Sequence, residues 1–441
     1  MNLSPIHRKM LPIVFPTILM NISLPLLGVV DTAVMGHLEE VYYVGAVGIG
    51  SMIFSVLYWA FGFLRMGMIG LAAQSYGRGD KNECAAVLWR GLASALCLGL
   101  LLIAARDVIT SVAFTLIDAT PEVERHALQY VQIRILAAPA ALLGMAFTGW
   151  FYGVQRIALP VILQVGINGL NVVLDLIFVL KLGFDSDGVA WATVIAQYVG
   201  LAFMLLLFGW RFPEYRRLYR QPGIFDRRKL LVLLTINTDL FIRTASLLAA
   251  NSYFLARSAT HGNRVLAANT ILIQFRNMTA YALDGIAAAA EVLVGSALGS
   301  GRKDDFRQAI RLSIIYGMTV GGGISLIYLV FHPWLLPIFT RNPEVLALAG
   351  VYVVWIIVDP LISNWCFILD GIFIGATATK TMRNAMLIAV LAIYFPVFLW
   401  LEPRYGNHGM WAATVILYAV RGVGLGWPLR RMLRSELATL K

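Results

Sequence analysis

Long apolar runs, each closed by a cluster of charge, glycine or proline, recur from one end of the 441-residue chain to the other. A helix needs about 20 predominantly apolar residues to span a bilayer. Twelve runs meet that length, at roughly 10–34, 43–73, 88–116, 129–153, 159–181, 188–211, 230–256, 264–297, 308–333, 346–376, 384–401 and 408–429. The second, eighth and tenth are long enough to tilt or to continue beyond the hydrocarbon.

The polar segments between the runs alternate in charge. If both termini face the cytoplasm, the cytoplasmic segments hold 23 lysines and arginines and the opposite ones 7. That bias predicts an even number of spans and cytoplasmic termini, in a multi-pass protein of a cytoplasmic membrane. Composition agrees: 59% of residues are hydrophobic and 13% charged, with a mean hydropathy of +0.76. A soluble domain carries about 25% charged residues, so too little polar surface remains here to clothe one. The net charge of +11 does not point to nucleic acid, because the basic residues sit in short clusters between spans and form no single patch.

The second half of the chain repeats the first. Gly77-Arg-Gly-Asp-Lys-Asn-Glu83 matches Gly299-Ser-Gly-Arg-Lys-Asp-Asp305, and Gly149-Trp-Phe-Tyr-Gly153 matches Gly371-Ile-Phe-Ile-Gly375, both at an offset of 222; Ala192-Thr-Val-Ile195 matches Ala413-Thr-Val-Ile416 at 221. A shift of six spans keeps both halves running the same way. The expected fold is therefore an all-α integral membrane protein, with two six-helix lobes related by a pseudo-twofold axis along the membrane normal. The lobes are expected at 1–210 and 230–441, joined by the basic cytoplasmic linker 211–229. A cleft between two bundles that rock suits a carrier by alternating access better than a channel.

Ionisable groups inside apolar spans are costly and mark functional candidates. Asp31 lies on the first span. Asn171 and Asp175 are four apart on the fifth and share a face, as do Thr193 and Gln197 on the sixth. Counting along each span puts Asp31, Asn171, Asp175 and Thr193 at a similar depth, in the outer half of the first lobe. Carboxylates crowded in an apolar bundle are held towards the protonated form, which suits proton uptake and release. The same oxygens suit a hard cation such as sodium, and a third reading has the two aspartates merely capping helix ends. Pro16 and Pro25 each remove a hydrogen bond within the first span and can bend it. Arg65 and Arg134 are candidates to neutralise one of the carboxylates. In the second half Asp239 and Arg243, four apart, are expected to neutralise each other. Arg276, Asp284, Glu291, Asp359, Asp370 and Arg421 are read mainly as structural ion pairs.

Other chemistry is not signalled. Cys84, Cys97 and Cys366 lack redox or metal spacing, the six histidines form no His-Glu-x-x-His, and no Walker A motif is present. The first apolar run carries prolines and Asp31 and does not read as a cleavable signal peptide.

Four stretches resemble the multidrug and toxic compound extrusion (MATE) family, in particular its DNA-damage-inducible protein F-like branch. They are Gly28-Val-Val-Asp-Thr-Ala-Val-Met-Gly-His-Leu38, Phe63-Leu-Arg-Met66 with Gly70-Leu-Ala-Ala-Gln74, Ala280-Tyr-Ala-Leu-Asp-Gly285, and Leu369-Asp-Gly-Ile-Phe-Ile-Gly-Ala376. The resemblance implies a twelve-helix antiporter that exports drug-like, often cationic organic compounds against inward protons or sodium. It places a first-lobe polar network on Asp31, Asn171, Asp175 and Thr193; Gln197 and Arg65, from the reading of the spans, are the expected secondary members. It also implies that protonating Asp31 bends the first helix and releases substrate outward. Proton coupling through Asp31 and Asp175 is the preferred reading, because Arg243 beside Asp239 argues against a second-lobe cation site. Sodium at the same first-lobe residues is the alternative. No cofactor beyond the coupling ion, no resident metal and no nucleic-acid partner are expected, and the protein is read as a monomer in the lipid bilayer, not an enzyme. A flippase for lipid-linked saccharides is the rival cargo, kept open by Arg65, Arg134, Arg243 and Arg276.

Overall fold

Backbone amides in hydrocarbon find no water, so a spanning segment must satisfy them within itself, as a helix does. A computed structural model describes the backbone of residues 5–35, 41–117, 119–218 and 223–439; side chains within these are described except at 5, 22–35, 41, 116 and 435–439. No strand occurs among the described residues. Helix α1 covers Pro5–Met35. It is followed by α2 (Tyr42–Gly77), α3 (Lys81–Ala104), α4 (Pro121–Gly153), α5 (Ala158–Lys181), α6 (Ser186–Arg211), α7 (Arg227–Thr260), α8 (Asn263–Ser300), α9 (Lys303–Ile338), α10 (Pro343–Gly375), α11 (Thr379–Tyr405) and α12 (Asn407–Arg434). The eleven after α1 are long and apolar enough to cross a membrane, and α1 with its 31 residues completes the twelve.

One boundary differs from the sequence reading. The run at 88–116 is not one helix: α3 ends at Ala104, and after the cap residue Ala105 a separate helix runs from Arg106 to Leu116. Arg106 and Asp107 open that second helix as an ion pair at 3.5 Å, and charge at its start disfavours a continuous apolar rod.

The described residues form two units. One is Leu19–Leu233, and the other is Met1–Ile18 together with Leu234–Lys441. The opening turns of α1 thus belong with the second half of the chain. There Met10 and Ile13 are buried, Gly285 packs against Val14 and Ile18, and the Tyr316 hydroxyl lies 3.1 Å from His7 Nε2.

The repeat read from sequence is present in the backbone. Gly79 and Gly301 both hold left-handed backbone, at φ 71° and 73°, the conformation glycine adopts without a steric penalty at a helix end. Gln155 and Thr377 do the same at φ 59° and 55°. Each ends its helix with the same hydrogen bonds: Arg156 N–H to the Phe151 carbonyl (2.8 Å), and Ala378 N–H to the Phe373 carbonyl (2.9 Å). Close helix crossings repeat as well. A β-carbon at Gly149 would lie 2.4 Å from the Arg65 carbonyl oxygen, and one at Gly371 would lie 2.4 Å from that of Ala287. Glycine at both places lets α4 approach α2, and α10 approach α8, backbone to backbone.

The described residues of the 211–229 segment are pinned to the first unit. Phe212 and Tyr215 pack against Trp150 at ring-centroid distances of 5.7 and 5.2 Å. The buried Arg90 donates to the Ile224 carbonyl at 2.6 Å and to Glu83 at 2.8 Å, and Lys229 reaches the same Glu83. Burial pushes the Tyr215 phenol up to about 12.

Candidate functional site

Helix α5 turns its polar residues into the first unit. Asn171 and Asp175 are buried, one turn apart, while Val173, Leu176 and Ile177 on other faces are exposed. Immediately after Asp175 the helix widens to a π-helical segment, Leu176–Lys181. Such wide turns frequently accompany functional positions. The corresponding helix of the other half, α11, carries its own π segment at Ile388–Tyr394.

Thr193 of α6 is buried opposite this face, and Asn171 bridges the two helices. With its amide nitrogen turned to Asp175, it donates to Asp175 Oδ2 at 3.3 Å; its oxygen then accepts from the Thr193 hydroxyl at 3.3 Å and from the Thr193 N–H at 3.2 Å. With the amide reversed, the nitrogen donates to the Thr193 hydroxyl at 3.3 Å, and that hydroxyl donates to the Val189 carbonyl at 3.1 Å. Three of the four residues expected at the site are therefore together. The fourth, Asp31, lies on α1, but its side chain falls outside the described residues, as does that of Pro25.

The remaining expected members are less involved. Gln197, one turn beyond Thr193, is half-buried and makes no hydrogen bond to another described side chain. Arg65 is half-buried on α2 with no ion pair among the described residues. Arg134 donates to the Ser51 hydroxyl at 3.1 Å and to the Tyr130 hydroxyl, and lies 5.0 Å over the Phe54 ring. Helix α1 runs unbroken through Pro16, where the Thr17 hydroxyl donates to the Ile13 carbonyl at 2.8 Å. Such back-bonding tends to bend a helix. The change from one unit to the other falls directly after it, between Ile18 and Leu19.

The second half corrects the pairing expected of Asp239 and Arg243. Asp239 pairs with Arg383 of α11 at 2.6 Å and accepts from the Thr379 hydroxyl at 2.9 Å. Arg243 instead reaches Asp370 of α10, which also accepts from Arg421 of α12 at 2.7 Å. Helical spacing brought Asp239 and Arg243 to one face, but better-placed partners on other helices took both. Arg276 donates to Asn251 at 3.0 Å, and Ser363 donates to Asp359 at 3.2 Å. Sequence reasoning gave Arg383 and Thr379 no role, because both read as ordinary residues of an inside loop.

The halves diverge at this bridge. Thr414, repeat mate of Thr193, donates to the Met410 carbonyl at 3.1 Å, as Thr193 does to that of Val189. Across from it stands the bulky Tyr394, whose hydroxyl donates to the Ala250 carbonyl at 3.1 Å. No carboxylate accompanies that pair as Asp175 accompanies Asn171, since the position 222 residues beyond Asp175 is Val397.

The profile of the MatE family matches the chain at residues 16–177 and 244–399, once in each half. The chain belongs to the MatE family. This MATE chain is 36% identical over 431 residues to the DNA damage-inducible protein F of Escherichia coli, covering 95% of the chain and 91% of that protein. It is 25% identical over 359 residues to a probable multidrug resistance protein NorM of Thermotoga maritima, covering 78% and 74% respectively. A MATE crystal structure in the bent conformation superposes with a TM-score of 0.88 at 20% identity, over 99% of this chain and 98% of that one. Members of the MATE family are transporters, and this one is a multi-pass membrane transporter of small molecules in the twelve-helix, two-lobe MATE fold.

Proposed function

We propose that this MATE transporter exports drug-like, often cationic organic compounds in exchange for protons taken up at Asp31 and Asp175. The observation that carries the reading is the Asn171 bridge, because each orientation of its amide suits one protonation state of Asp175. An ionised Asp175 only accepts, so the amide turns its nitrogen to it and its oxygen to Thr193. A protonated Asp175 donates, so the amide offers its oxygen, and its nitrogen then donates to the Thr193 hydroxyl, which in turn donates to the Val189 carbonyl. The second network also sets the amide nitrogen 3.2 Å from the Thr193 backbone nitrogen, another donor, so it is the less favourable of the two. The amide thus relays the proton state of α5 to α6, and Pro16 with Thr17 gives α1 a place to bend as Asp31 titrates.

Two contacts weigh against the saccharide flippase. Recognising a pyrophosphate calls for available guanidinium groups, and Arg243 is engaged by Asp370 and Arg276 by Asn251. Sodium remains the second reading, supported by the oxygen-rich set of Asn171, Asp175 and Thr193. The charge bias of the loops supports the inner membrane with both termini in the cytoplasm.

The test is efflux of a fluorescent organic cation from proteoliposomes under an imposed pH or sodium gradient. A pH gradient alone is expected to drive the wild type, and Asp31→Asn and Asp175→Asn are each expected to lose that drive. Drive by sodium alone selects the sodium reading. Wild-type exchange in both variants would overturn the site, and no drive by either gradient would bring the flippase forward.

A further inference from the structure

A groove of about 410 Å³ lies between the start of α9 and the end of α12, lined by Arg307, Ile310, Arg311, Ile314, Ile315 and Leu433. Its walls are almost wholly aliphatic, and Ile315 is 45% exposed. Its rim is basic. Arg307 and Arg311 are four apart on α9, so they share a face about 6 Å apart along the axis. Arg430 and Arg434 stand exposed beside Leu433 at the end of α12.

None of these four arginines forms an ion pair with another described residue. On their own helix the available carboxylates are Asp304 and Asp305, of which Asp305 is turned to Arg302 at 3.4 Å. Two like charges one turn apart repel each other, so the sequence tolerates an unfavourable pair at the mouth of an apolar groove.

We propose that this groove binds an anionic phospholipid of the leaflet on the side of the chain termini. Its phosphate would sit between Arg307 and Arg311, and an acyl chain would run along Ile310, Ile314 and Ile315. Charge complementarity selects this occupant. Guanidinium forks match phosphate oxygens, and basic pockets between transmembrane helices are where anionic headgroups bind. Neither a drug-like cation nor a zwitterionic lipid satisfies an all-basic rim. The proposal does not depend on which ion couples transport.

The experiment is native mass spectrometry of the purified full-length protein with equal phosphatidylglycerol and phosphatidylcholine. The wild type is expected to retain phosphatidylglycerol with a preference on the order of tenfold. Arg307→Gln with Arg311→Gln should lose most of that preference, and the corresponding lysine pair should keep much of it. Ile314→Ser with Ile315→Ser, which leaves the charge unchanged, should weaken retention of phosphatidylglycerol. Arg216→Gln with Arg217→Gln removes equal charge from another exposed segment and should change nothing. Full preference in the Arg307/Arg311 glutamine variant overturns the proposal. So does an equal loss in the Arg216/Arg217 control, which would reduce the effect to net charge.

Discussion

Gln155 and Thr377 occupy the same place in the two halves of the chain, and both hold left-handed backbone at φ 59° and 55°. An L-residue there costs about 1–2 kcal/mol relative to right-handed backbone, and a β-branched residue suffers most. Thr377→Gly is therefore expected to stabilise the protein by about 1 kcal/mol. Gln155→Gly should gain less, since an unbranched side chain is less strained there. Unfolding followed in detergent reads both, and a destabilised Thr377→Gly would show that the contacts of its side chain outweigh the strain.

Gly149 and Gly371 carry the matched helix crossings. Alanine at either puts a β-carbon 2.4 Å from a carbonyl oxygen, closer than any relaxed packing allows. Each substitution should cost about 1–3 kcal/mol. Alanine at Gly350 or Gly322, where nothing lies within 4 Å of the β-carbon, is the control and should be stable.

Asp370 holds two buried guanidiniums, those of Arg243 and Arg421. Removing the carboxylate in Asp370→Ala leaves both without their counter-charge, a loss of about 3–5 kcal/mol. Little folded protein is then expected by size-exclusion chromatography. Asp370→Asn keeps an acceptor oxygen and should be damaged less. Equal yields from the two variants would show that charge, not hydrogen bonding, holds the cluster.

Asn171→Leu removes donor and acceptor together, so proton-driven efflux should fall by roughly five- to 150-fold, the range set by about 1–3 kcal/mol for an unmet buried polar group. Thr193→Val loses the hydroxyl but keeps the backbone N–H that reaches Asn171 at 3.2 Å, and its effect should be smaller. A larger loss in the valine variant would transfer the relay to the hydroxyl.

Asp226 caps α7, accepting from the Lys229 N–H at 3.0 Å, and that bond holds its carboxyl below the usual value of 3.8. A depressed folded value stabilises above the unfolded one and is lost as pH falls through the folded value. Asp226→Ala should thus lower stability at pH 7, with the gap to wild type closing as pH drops below 3.8. A gap that persists at the lowest pH would assign the effect to packing.

The chain announces its class, span number and doubling in local signals. An apolar run of sufficient length must be a helix in a bilayer, and a repeat at a fixed offset survives in any linear reading. The set Asn171, Asp175 and Thr193 was also legible, because a four-residue spacing fixes a shared face and counting along the spans fixes depth. Gln197 satisfied the same spacing and Arg65 was a candidate to neutralise a carboxylate, yet the structure gives neither a part in the bridge.

Partner choice in the second half was not legible. Asp239 and Arg243 share a face by spacing, but a charge in a low-dielectric interior goes to whichever opposite charge the folded chain brings nearest with satisfactory geometry. For Asp239 that is Arg383, 144 residues away, and for Arg243 it is Asp370, 127 away. Periodicity along one helix determines which way a side chain faces. Only the packing of helices from distant parts of the sequence decided what it meets, because that partner is set by distances across the bundle that no local pattern encodes.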